Sequence, residues 1–277
     1  MALLRLSGRS VRDHIVSEIV EFRREDSVAV ITVNNPPVNA LTSAMRKGLT
    51  DALSKAREDA AVEAVVITAA GRTFIAGADI TEFNKPPTTP TTSDVIDAID
   101  AMPKPVVAAL HGTPLGGGLE IALGCHFRVA APGTRLGLPE IKLGLMPGAG
   151  GTQRLPRLVG MSKAMAMILS GDPIDAQDAL GCGLIDEIAA GDLVDTAIAF
   201  AKRVVTEKRP LVRARDRDDM LAELRANPAK FDELAAPYLK RSRGLHAPAK
   251  AIEALRWTLD VPVDEALVRE LDTFAEL

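Results

Sequence analysis

Residues 105–124 read PVVAALHGTPLGGGLEIALG, and this stretch decides the fold. The β-branched and apolar run at 105–110 is typical of a buried strand. The glycines at 116–118 allow a tight turn, because glycine adopts backbone conformations that strain other residues. A short helix is expected directly after the turn, over 119–123. The sequence therefore predicts a unit in which a strand passes through a bare turn into a helix.

The same order of strand, turn and helix recurs along the chain. Residues 28–33 are predicted to be the first strand, which two asparagines and two prolines stop. Apolar residues then recur at helical spacing over 42–57. Further buried strands are predicted at 62–69 and 127–130. Because the order recurs about every 40 residues, we predict an α/β fold, a stacked spiral of repeated ββα units with mixed sheets.

Three regions differ in their sequence pattern. Residues 1–20 are predicted to be a short amphipathic lead-in, and 21–205 the spiral core. Beyond about residue 206 the pattern is purely helical, so 206–277 is predicted to be a C-terminal helical module. We expect this module to pack on the core or on a neighbouring subunit. Within the core, the Pro- and Thr-rich stretch 84–93 is predicted to be a mobile loop, followed by a helix over 94–101.

Composition argues against several classes of function. A formal charge of −4 and 3% aromatic residues leave neither a basic field nor stacking rings for nucleic acid. No apolar run reaches the roughly 20 residues of a membrane helix, so no membrane association is predicted. Cys125 and Cys182 lack paired spacing and fit free thiols in a reducing compartment, which indicates a cytoplasmic protein. Adjacent Cys125 and His126 point apart, so we expect no metal site.

Two glutamates and two bare turns carry the candidate chemistry. Glu120 lies in the first turn of the helix after the glycines, and Glu140 lies in the stretch LPEIKLG at 138–144. A pair of carboxylates is suited to adding or removing water or protons. The N–H groups of Gly117 and Ala78 lie in the two bare turns, and two such donors can stabilise negative charge on an oxygen.

Local sequence leaves structural roles open for the same residues. Glu120 at a helix N-terminus contributes about 0.3–1 kcal/mol through the helix dipole alone. Glu140 has Lys142 nearby as a partner for a surface ion pair, which is worth little. The run GAGGT at 148–152 resembles a phosphate loop, but no lysine precedes its threonine. Neither a dinucleotide-binding glycine pattern nor a Gly-x-Ser-x-Gly elbow is present.

Four blocks occur in a recognisable order along the core. They are PPVNAL at 36–41, FIAGADI at 74–80, PLGGGLEIALG at 114–124 and LPEIKLGLMPGAGGTQRLPRLVG at 138–160. Together they resemble the signature blocks of the crotonase, or enoyl-CoA hydratase/isomerase, superfamily. The resemblance extends from about residue 20 to about residue 205. The motif GCHFRVA and the tail beyond residue 246 look closer still to the hydratase/isomerase part of multifunctional β-oxidation enzymes.

The resemblance implies an activity and a role for each matched residue. The activity is enoyl-CoA hydratase, the syn addition of water to 2-trans-enoyl-CoA thioesters giving 3-hydroxyacyl-CoA, with CoA as part of the substrate and no separate cofactor. Ala78 and Gly117 match the two backbone donors that hold the thioester oxygen. Glu120 matches the residue that orients the water, and Glu140 the one that exchanges a proton with it and with the substrate α-carbon. Substrate-binding residues are expected at Val38, Ala76, Asp79, Ile80 and Gly118.

Other hypotheses stay open. A dedicated Δ3,Δ2-enoyl-CoA isomerase would need Glu140 but not Glu120, and a non-catalytic acyl-CoA-binding module would bind without turnover. Thr81 stands where many relatives carry a lysine, which puts the strength of the CoA nucleotide contact in doubt. The family implies a homotrimer or a dimer of trimers, whereas the multifunctional relatives can act as monomers. The chain is either a stand-alone relative or the first part of a longer enzyme.

Overall fold

The computed structural model describes residues 14–17, 19–82, 86 and 88–277. Its strands are β1 (His14–Ser17), β2 (Val20–Glu25), β3 (Val28–Val33), β4 (Ala64–Ala69), β5 (Val106–Leu110), β6 (Phe127–Ala130), β7 (Arg135–Leu136), β8 (Ile174–Asp175) and β9 (Glu187–Ile188). Seven of them form one sheet in the order β1-β2-β3-β4-β5-β6-β9, and β7 pairs with β8. The first three strands are antiparallel and the rest of the large sheet is parallel. The predicted mixed sheet is confirmed.

Two strands precede the one that the sequence indicates as the first. β2 pairs antiparallel with β3 from Val20↔Val33 to Glu25↔Val28. Its sequence, VEFRRE, carries four charged residues, and within it Val20 and Phe22 are the buried positions. The prediction that the strand at 28–33 comes first is therefore wrong, because pairing with β3 outweighs the weak local pattern of β2. Of the predicted lead-in over 1–20, residues 1–13 and 18 lie outside the described part of the chain.

The helices are α1 (Ser43–Glu58), α2 (Thr92–Asp100), α3 (Gly117–Gly124), α4 (Gly151–Val159), α5 (Met161–Ser170), α6 (Ala176–Gly181), α7 (Leu193–Thr206), α8 (Ala222–Ala226), α9 (Ala229–Arg241), α10 (His246–Asp260) and α11 (Val263–Glu276). The predicted start of α1 is confirmed, since the Thr42 side chain accepts a hydrogen bond from Met45 N. α2 begins inside the stretch predicted as a loop, because Thr91 and Asp94 form a capping box.

Short parallel contacts connect successive turns of a spiral. After β3 the chain pairs Leu41 with Ala78, which follows β4. Ala76 pairs with Leu115, which follows β5, and Leu115 pairs in turn with Gly137. The passages at Leu41, Ala78 and Leu115 each lead from a strand of the large sheet towards a helix, and the one at Gly137 leads from β7 to a 3-10 turn. The predicted repetition of ββα units is confirmed, and the bare turns of neighbouring units lie side by side.

The parallel strands are buried on both faces. In β4 all six residues are buried, and alternate residues enter two hydrophobic clusters. Ile67 belongs to the larger cluster, which includes residues of α1, α2 and α3, and Val66 belongs to the cluster beneath α7. None of the described helices is both long enough and apolar enough to cross a membrane.

The C-terminal helices pack on α4 and α5, which follow the glycine-rich run at 148–151. α10 lies against α4 and α5, and α11 contacts α4. Phe231 of α9 and Leu255 of α10 are fully buried, and they belong to the same cluster as Ile31 and Ile67 of the sheet. The helical tail thus packs on its own chain and shares its core, while the division at residue 206 stays a prediction.

Candidate active site

Two backbone N–H groups lie next to each other where the bare turns meet. A Cβ atom placed on Gly117 would lie 3.8 Å from the nitrogen of Ala78, so the two turns lie close together. Leu41 N donates to Gly77 O and holds the first turn in place. Neither Ala78 N nor Gly117 N donates a hydrogen bond to any described residue. Both N–H groups are therefore available to a ligand atom.

The glycines around these N–H groups meet different steric demands. Gly77 has a φ of +102° and Gly116 a φ of +53°, conformations that side chains disfavour. A Cβ on Gly116 would also lie 3.0 Å from Oε1 of Glu140. A Cβ on Gly118 would lie 2.0 Å from the carbonyl oxygen of Ile75, so only glycine fits there. The glycine triplet thus lets the second turn approach both the first turn and Glu140.

Glu120 is fixed through one of its carboxylate oxygens. Its side chain is 4% exposed, and Oε1 accepts hydrogen bonds from Ala149 N at 2.8 Å and Gly151 N at 2.9 Å. No described residue donates to Oε2. Burial raises the pKa of the Glu120 carboxyl, while the two N–H donors and the charge of Arg154 oppose that rise. Glu120 is therefore held in one orientation with an oxygen left for a ligand.

The turn that holds Glu120 is the GAGGT run at 148–152. Gly150 has a φ of +100°, and a Cβ there would lie 1.8 Å from Nη1 of Arg154. A Cβ on Gly151 would lie 2.9 Å from Oε1 of Glu120. The turn precedes α4, where free N–H groups and the helix dipole favour an anion. The anion is a carboxylate of the protein itself, which sequence reasoning did not find.

Glu140 opens a 3-10 turn, Glu140–Leu143, and directs its carboxyl into the same region. Its Oε2 is buried and has no hydrogen-bond partner among the described residues. Burial, and next the charge of Glu120, raise the pKa of Glu140 to about 8. The alternative of an ion pair with Lys142 is wrong, because Lys142 Nζ binds Asp172 Oδ1 at 2.6 Å. Glu140 is thus a buried carboxyl poised to be protonated near neutral pH.

A third carboxyl, Glu270, reaches the same turn from α11. It is fully buried, with Oε1 accepting from Gly150 N at 2.9 Å and Oε2 from the Thr152 hydroxyl at 2.7 Å. Burial, and next the charge of Glu120, raise the pKa of Glu270 to about 8. Local sequence gives no signal for this residue, because its partner Gly150 lies 120 positions away in the chain.

A cavity of about 530 Å³ opens onto these groups. Its volume suits a small-molecule ligand. It is lined from several elements by residues that include the predicted Ala76, Ala78, Asp79, Gly117, Glu120 and Glu140. The wall also includes Arg46, Thr88, Thr92, Leu143, Leu145, Leu271 and Phe274. The structure therefore brings both glutamates and both free N–H groups to one cavity.

Three other predicted binding residues are placed differently. Val38 is half-buried, and its carbonyl accepts from Ala76 N at 3.2 Å, so it supports the wall from behind. Gly118 is buried and donates to Leu115 O. Neither is among the described residues that line the cavity. Ile80 begins the 3-10 turn Ile80–Glu82, and its side chain lies outside the described part.

Among the described residues, no cysteine or histidine lines the cavity. No group of three or more His, Cys, Asp or Glu within the described ranges is arranged to hold a metal ion. His126 Nδ1 accepts a hydrogen bond from Val106 N, and burial lowers the pKa of His126 to about 4. Burial likewise raises the pKa of the Cys125 thiol to about 12. These two side chains therefore serve the core as neutral groups.

Comparison with known proteins identifies the family. Residues 23–236 match the family model described as enoyl-CoA hydratase/isomerase. The chain belongs to the enoyl-CoA hydratase/isomerase family. A probable enoyl-CoA hydratase of Bacillus subtilis is 45% identical over 193 residues, which cover 66% of this chain and 74% of the relative. The crystal structure of an enoyl-CoA hydratase from Bacillus anthracis is 28% identical with a TM-score of 0.63, covering 93% of this chain and 90% of that one.

Longer members of the enoyl-CoA hydratase/isomerase family match more of the chain. A peroxisomal bifunctional enzyme of Danio rerio is 40% identical over 257 residues, which cover 91% of this chain but 34% of the relative. The chain thus spans about a third of the length of this curated relative. The predicted crotonase-like spiral is confirmed by these likenesses and by the repeated units of the structure. Thr81 is exposed, and its N–H donates to Asp79 Oδ1.

Proposed function

We propose that this chain is an enoyl-CoA hydratase. The reaction is the syn addition of water to a 2-trans-enoyl-CoA, giving the 3-hydroxyacyl-CoA. One observation carries the proposal: Glu120, Glu140 and the two unpaired N–H groups line a single cavity. The identity with hydratases of the family supports the same activity. A pair of carboxyls beside two fixed donors matches what water addition to a conjugated thioester requires.

The N–H groups of Ala78 and Gly117 hold the thioester oxygen. That oxygen gains negative charge as water adds to C3 and electron density moves toward the carbonyl. Both donors are fixed by the backbone, and Gly117 is the first residue of α3, whose dipole favours negative charge at this point. A preorganised donor of this kind typically contributes about 10²–10³ in rate.

The two glutamates have different roles in the addition of water. Oε1 of Glu120 is held by Ala149 N and Gly151 N, so Oε2 is left to orient the attacking water. Glu140 is mainly protonated below pH about 8 and gives its proton to C2. It takes back the proton that the water loses as the C3–O bond forms. The carboxyl is thereby restored, and the net change is the addition of one water.

Substrate contacts follow the walls of the cavity. Ala76 and Asp79 flank Ala78 and are proposed to bind the CoA portion, with Ile80 beyond them. Val38 supports Ala76 through a backbone hydrogen bond, and Gly118 supports Gly117 by its close approach to Ile75. CoA enters as part of the substrate, and we propose no separate cofactor and no metal.

The cellular setting belongs to the same proposal. We propose a cytoplasmic enzyme, because the free cysteines Cys125 and Cys182 suit a reducing compartment. We propose a homotrimer or a dimer of trimers, since members of this family are usually oligomeric, with a monomer as the alternative. The three regions 1–20, 21–205 and 206–277 are kept as the proposed organisation.

The test is hydration of crotonyl-CoA in D₂O, followed by NMR of the product. We expect loss of the conjugated thioester signal and a single 3-hydroxybutyryl-CoA stereoisomer with deuterium at C2, syn to the new hydroxyl. Unchanged crotonyl-CoA would contradict the proposal. If the protein nevertheless binds butyryl-CoA tightly, a non-catalytic acyl-CoA-binding role would replace it.

The unpartnered Oε2 of Glu140 supports isomerisation as a second activity. Moving a double bond from C3 to C2 requires a proton to leave C2 and another to reach C4. That step needs Glu140 and the two N–H donors, but no oriented water. We therefore expect Glu120→Gln to keep activity on a 3-enoyl-CoA and Glu140→Gln to lose it. Equal losses in both variants would contradict a separate isomerase activity.

A further inference from the structure

The turn at 149–151 is held from two sides by the carboxyl groups of Glu120 and Glu270. Ala149 N and Gly151 N donate to Glu120, and Gly150 N between them donates to Glu270. Three successive N–H groups are thus shared between α3 and α11. Because the peptide units are planar and linked, the direction of the middle N–H limits the directions of its neighbours. The position of the Gly150 N–H therefore bears on how Glu120 is held.

Glu270 is itself fixed by a chain of hydrogen bonds. The Thr152 hydroxyl donates to its Oε2 at 2.7 Å, and Gln153 Nε2 donates both to Thr152 Oγ1 and to Ala254 O. Glu270 and Gln153 are both fully buried. The network thus ties α11, the start of α4 and α10 to one another. The side chains of this network, Glu270, Thr152 and Gln153, are all shielded from solvent.

Close packing holds α11 against the same turn. A Cβ on Gly148 would lie 2.4 Å from the ring of Phe274, and one on Gly150 would lie 3.1 Å from Leu267 Cδ2. Leu271 and Phe274, which follow Glu270 on α11, line the cavity, whereas Glu270 is not among its lining residues. Glu270 therefore acts on the site through the turn and touches no reacting atom.

We propose that Glu270 is a positioning residue, which holds the turn at 149–151 so that Ala149 and Gly151 present their N–H groups to Glu120. The inference rests on the proposed hydratase function for its rate readout. Its structural part, the fixing of the turn, stands on the contacts alone. By this inference the C-terminal helix α11 helps to set the geometry of the site.

The kinetic test compares Glu270→Ala, Glu270→Gln and the control Glu265→Gln. Glu265 lies on the same helix, is exposed and pairs with Arg269, so its change leaves the turn intact. We expect Glu270→Ala to lower kcat for crotonyl-CoA about 100-fold, the cost of a misplaced catalytic group, with little change in KM. Glu270→Gln keeps an acceptor for Gly150 N, so it should retain more activity than Glu270→Ala. The control should match the wild type.

A pH profile separates positioning from general destabilisation. The groups that face Glu270 are Glu120 from α3, Arg154 from α4, and Glu140 from its 3-10 turn. The pKa of Glu270 is itself about 8, so this group is charged mainly above that pH, where its charge raises the pKa of Glu140. Glu270→Gln should therefore move the alkaline limb of kcat to lower pH. A structural role alone would lower activity equally at every pH. A wild-type kcat and profile in both Glu270 variants would overturn the inference.

Hydrogen exchange gives a readout that needs no activity. We expect amides of a peptide over 147–155 to exchange faster in Glu270→Ala than in Glu265→Gln, because the Gly150 N–H loses its acceptor. Unchanged exchange would overturn the inference even if the enzyme is active. An inactive wild type with faster exchange in Glu270→Ala would instead contradict the proposed function and leave the positioning supported. Should Glu270→Ala fail to fold, the same comparison applies to Glu270→Gln.

Discussion

The two glycine-rich turns of this chain, at 116–118 and 148–151, both lead into a helix, but they differ in what their N–H groups bind. In the first turn Gly117 N finds no acceptor among the described residues and faces the cavity. In the second turn Ala149, Gly150 and Gly151 donate to carboxyl groups of the protein itself. One turn is open to a ligand, and the other is closed by its own chain.

The difference shows that a glycine-rich turn at the start of a helix can bind an anionic or acidic group. Residues distant in sequence determine whether that group is a ligand or a side chain of the protein. Both turns offer N–H groups and a helix dipole. Whether the anion is a substrate or a side chain depends on what the fold delivers there. Glu120 and Glu270 arrive at the second turn from two other helices. A motif search confined to the turn cannot separate the two cases.

Removing one N–H from the open turn should have the largest effect. Gly117→Pro deletes the donor at the first position of α3, where proline is tolerated. We expect kcat for crotonyl-CoA hydration to fall about 10²–10³-fold, the usual loss for one such donor. Steady-state kinetics with crotonyl-CoA measures this fall.

Gly117→Ala is the matched control for that variant. It keeps the N–H, and its Cβ would meet Leu41, Ala78 and Thr92 at 3.6–3.9 Å, which is ordinary contact. We expect a rate within about tenfold of the wild type, since the donor is retained. If alanine and proline at this position cost the same, the open turn does not act through its N–H.

The charge state of Glu140 should give the next largest effect. Its pKa is raised to about 8, so the protonated form that gives a proton to C2 persists below that pH and is lost above it. We expect kcat/KM for hydration to fall about tenfold per pH unit well above pH 8, as one required proton is lost. A profile that is flat from pH 7 to pH 10 would contradict a protonated Glu140 in the forward reaction.

A side chain in the closed turn should reduce stability. Gly150→Ala places a methyl group at a φ of +100° and 1.8 Å from Nη1 of Arg154, whose Nη2 binds the buried Asp100 at 2.6 Å. We expect a loss of about 3 kcal/mol in the free energy of unfolding, because a strained backbone and a disturbed buried ion pair add up. Urea denaturation measures it.

Gly133→Ala calibrates the backbone part of that loss. Gly133 has a φ of +77° and no atom within 4 Å of a Cβ placed on it. We expect about 1 kcal/mol from the backbone conformation alone. Equal losses at the two positions would mean that the contact with Arg154 does not matter to the closed turn.

Sequence predicted the parts of the fold that depend on local pattern. The strands at 64–69, 106–110 and 127–130 and the helix α1 are where apolar runs and caps indicate them. β2 was missed because its residues VEFRRE are mostly charged and form a strand through pairing with β3. α2 began earlier than expected because the capping box of Thr91 lies within a Pro- and Thr-rich stretch.

The site residues that lie in family motifs could be predicted from the sequence. Those that reach the site only through the packing of distant helices could not. Glu120, Glu140, Ala78 and Gly117 are brought to one cavity, as the motifs indicate. The anion-binding use of the run at 148–152 was missed, since no lysine marked it. Glu270 was missed because it meets Gly150 only through the packing of α11 on α4. The catalytic roles of Glu120, Glu140, Ala78 and Gly117 remain predictions.

The most direct test of the account is crotonyl-CoA hydration by Glu120→Gln beside the wild type, with butyryl-CoA binding measured on both. The turn at 148–151 positions Glu120 beside the ligand that the turn at 116–118 is proposed to bind. We predict that butyryl-CoA binds the two proteins alike and that hydration is at least about 100-fold slower in the variant. Hydration at the wild-type rate by Glu120→Gln would contradict the account.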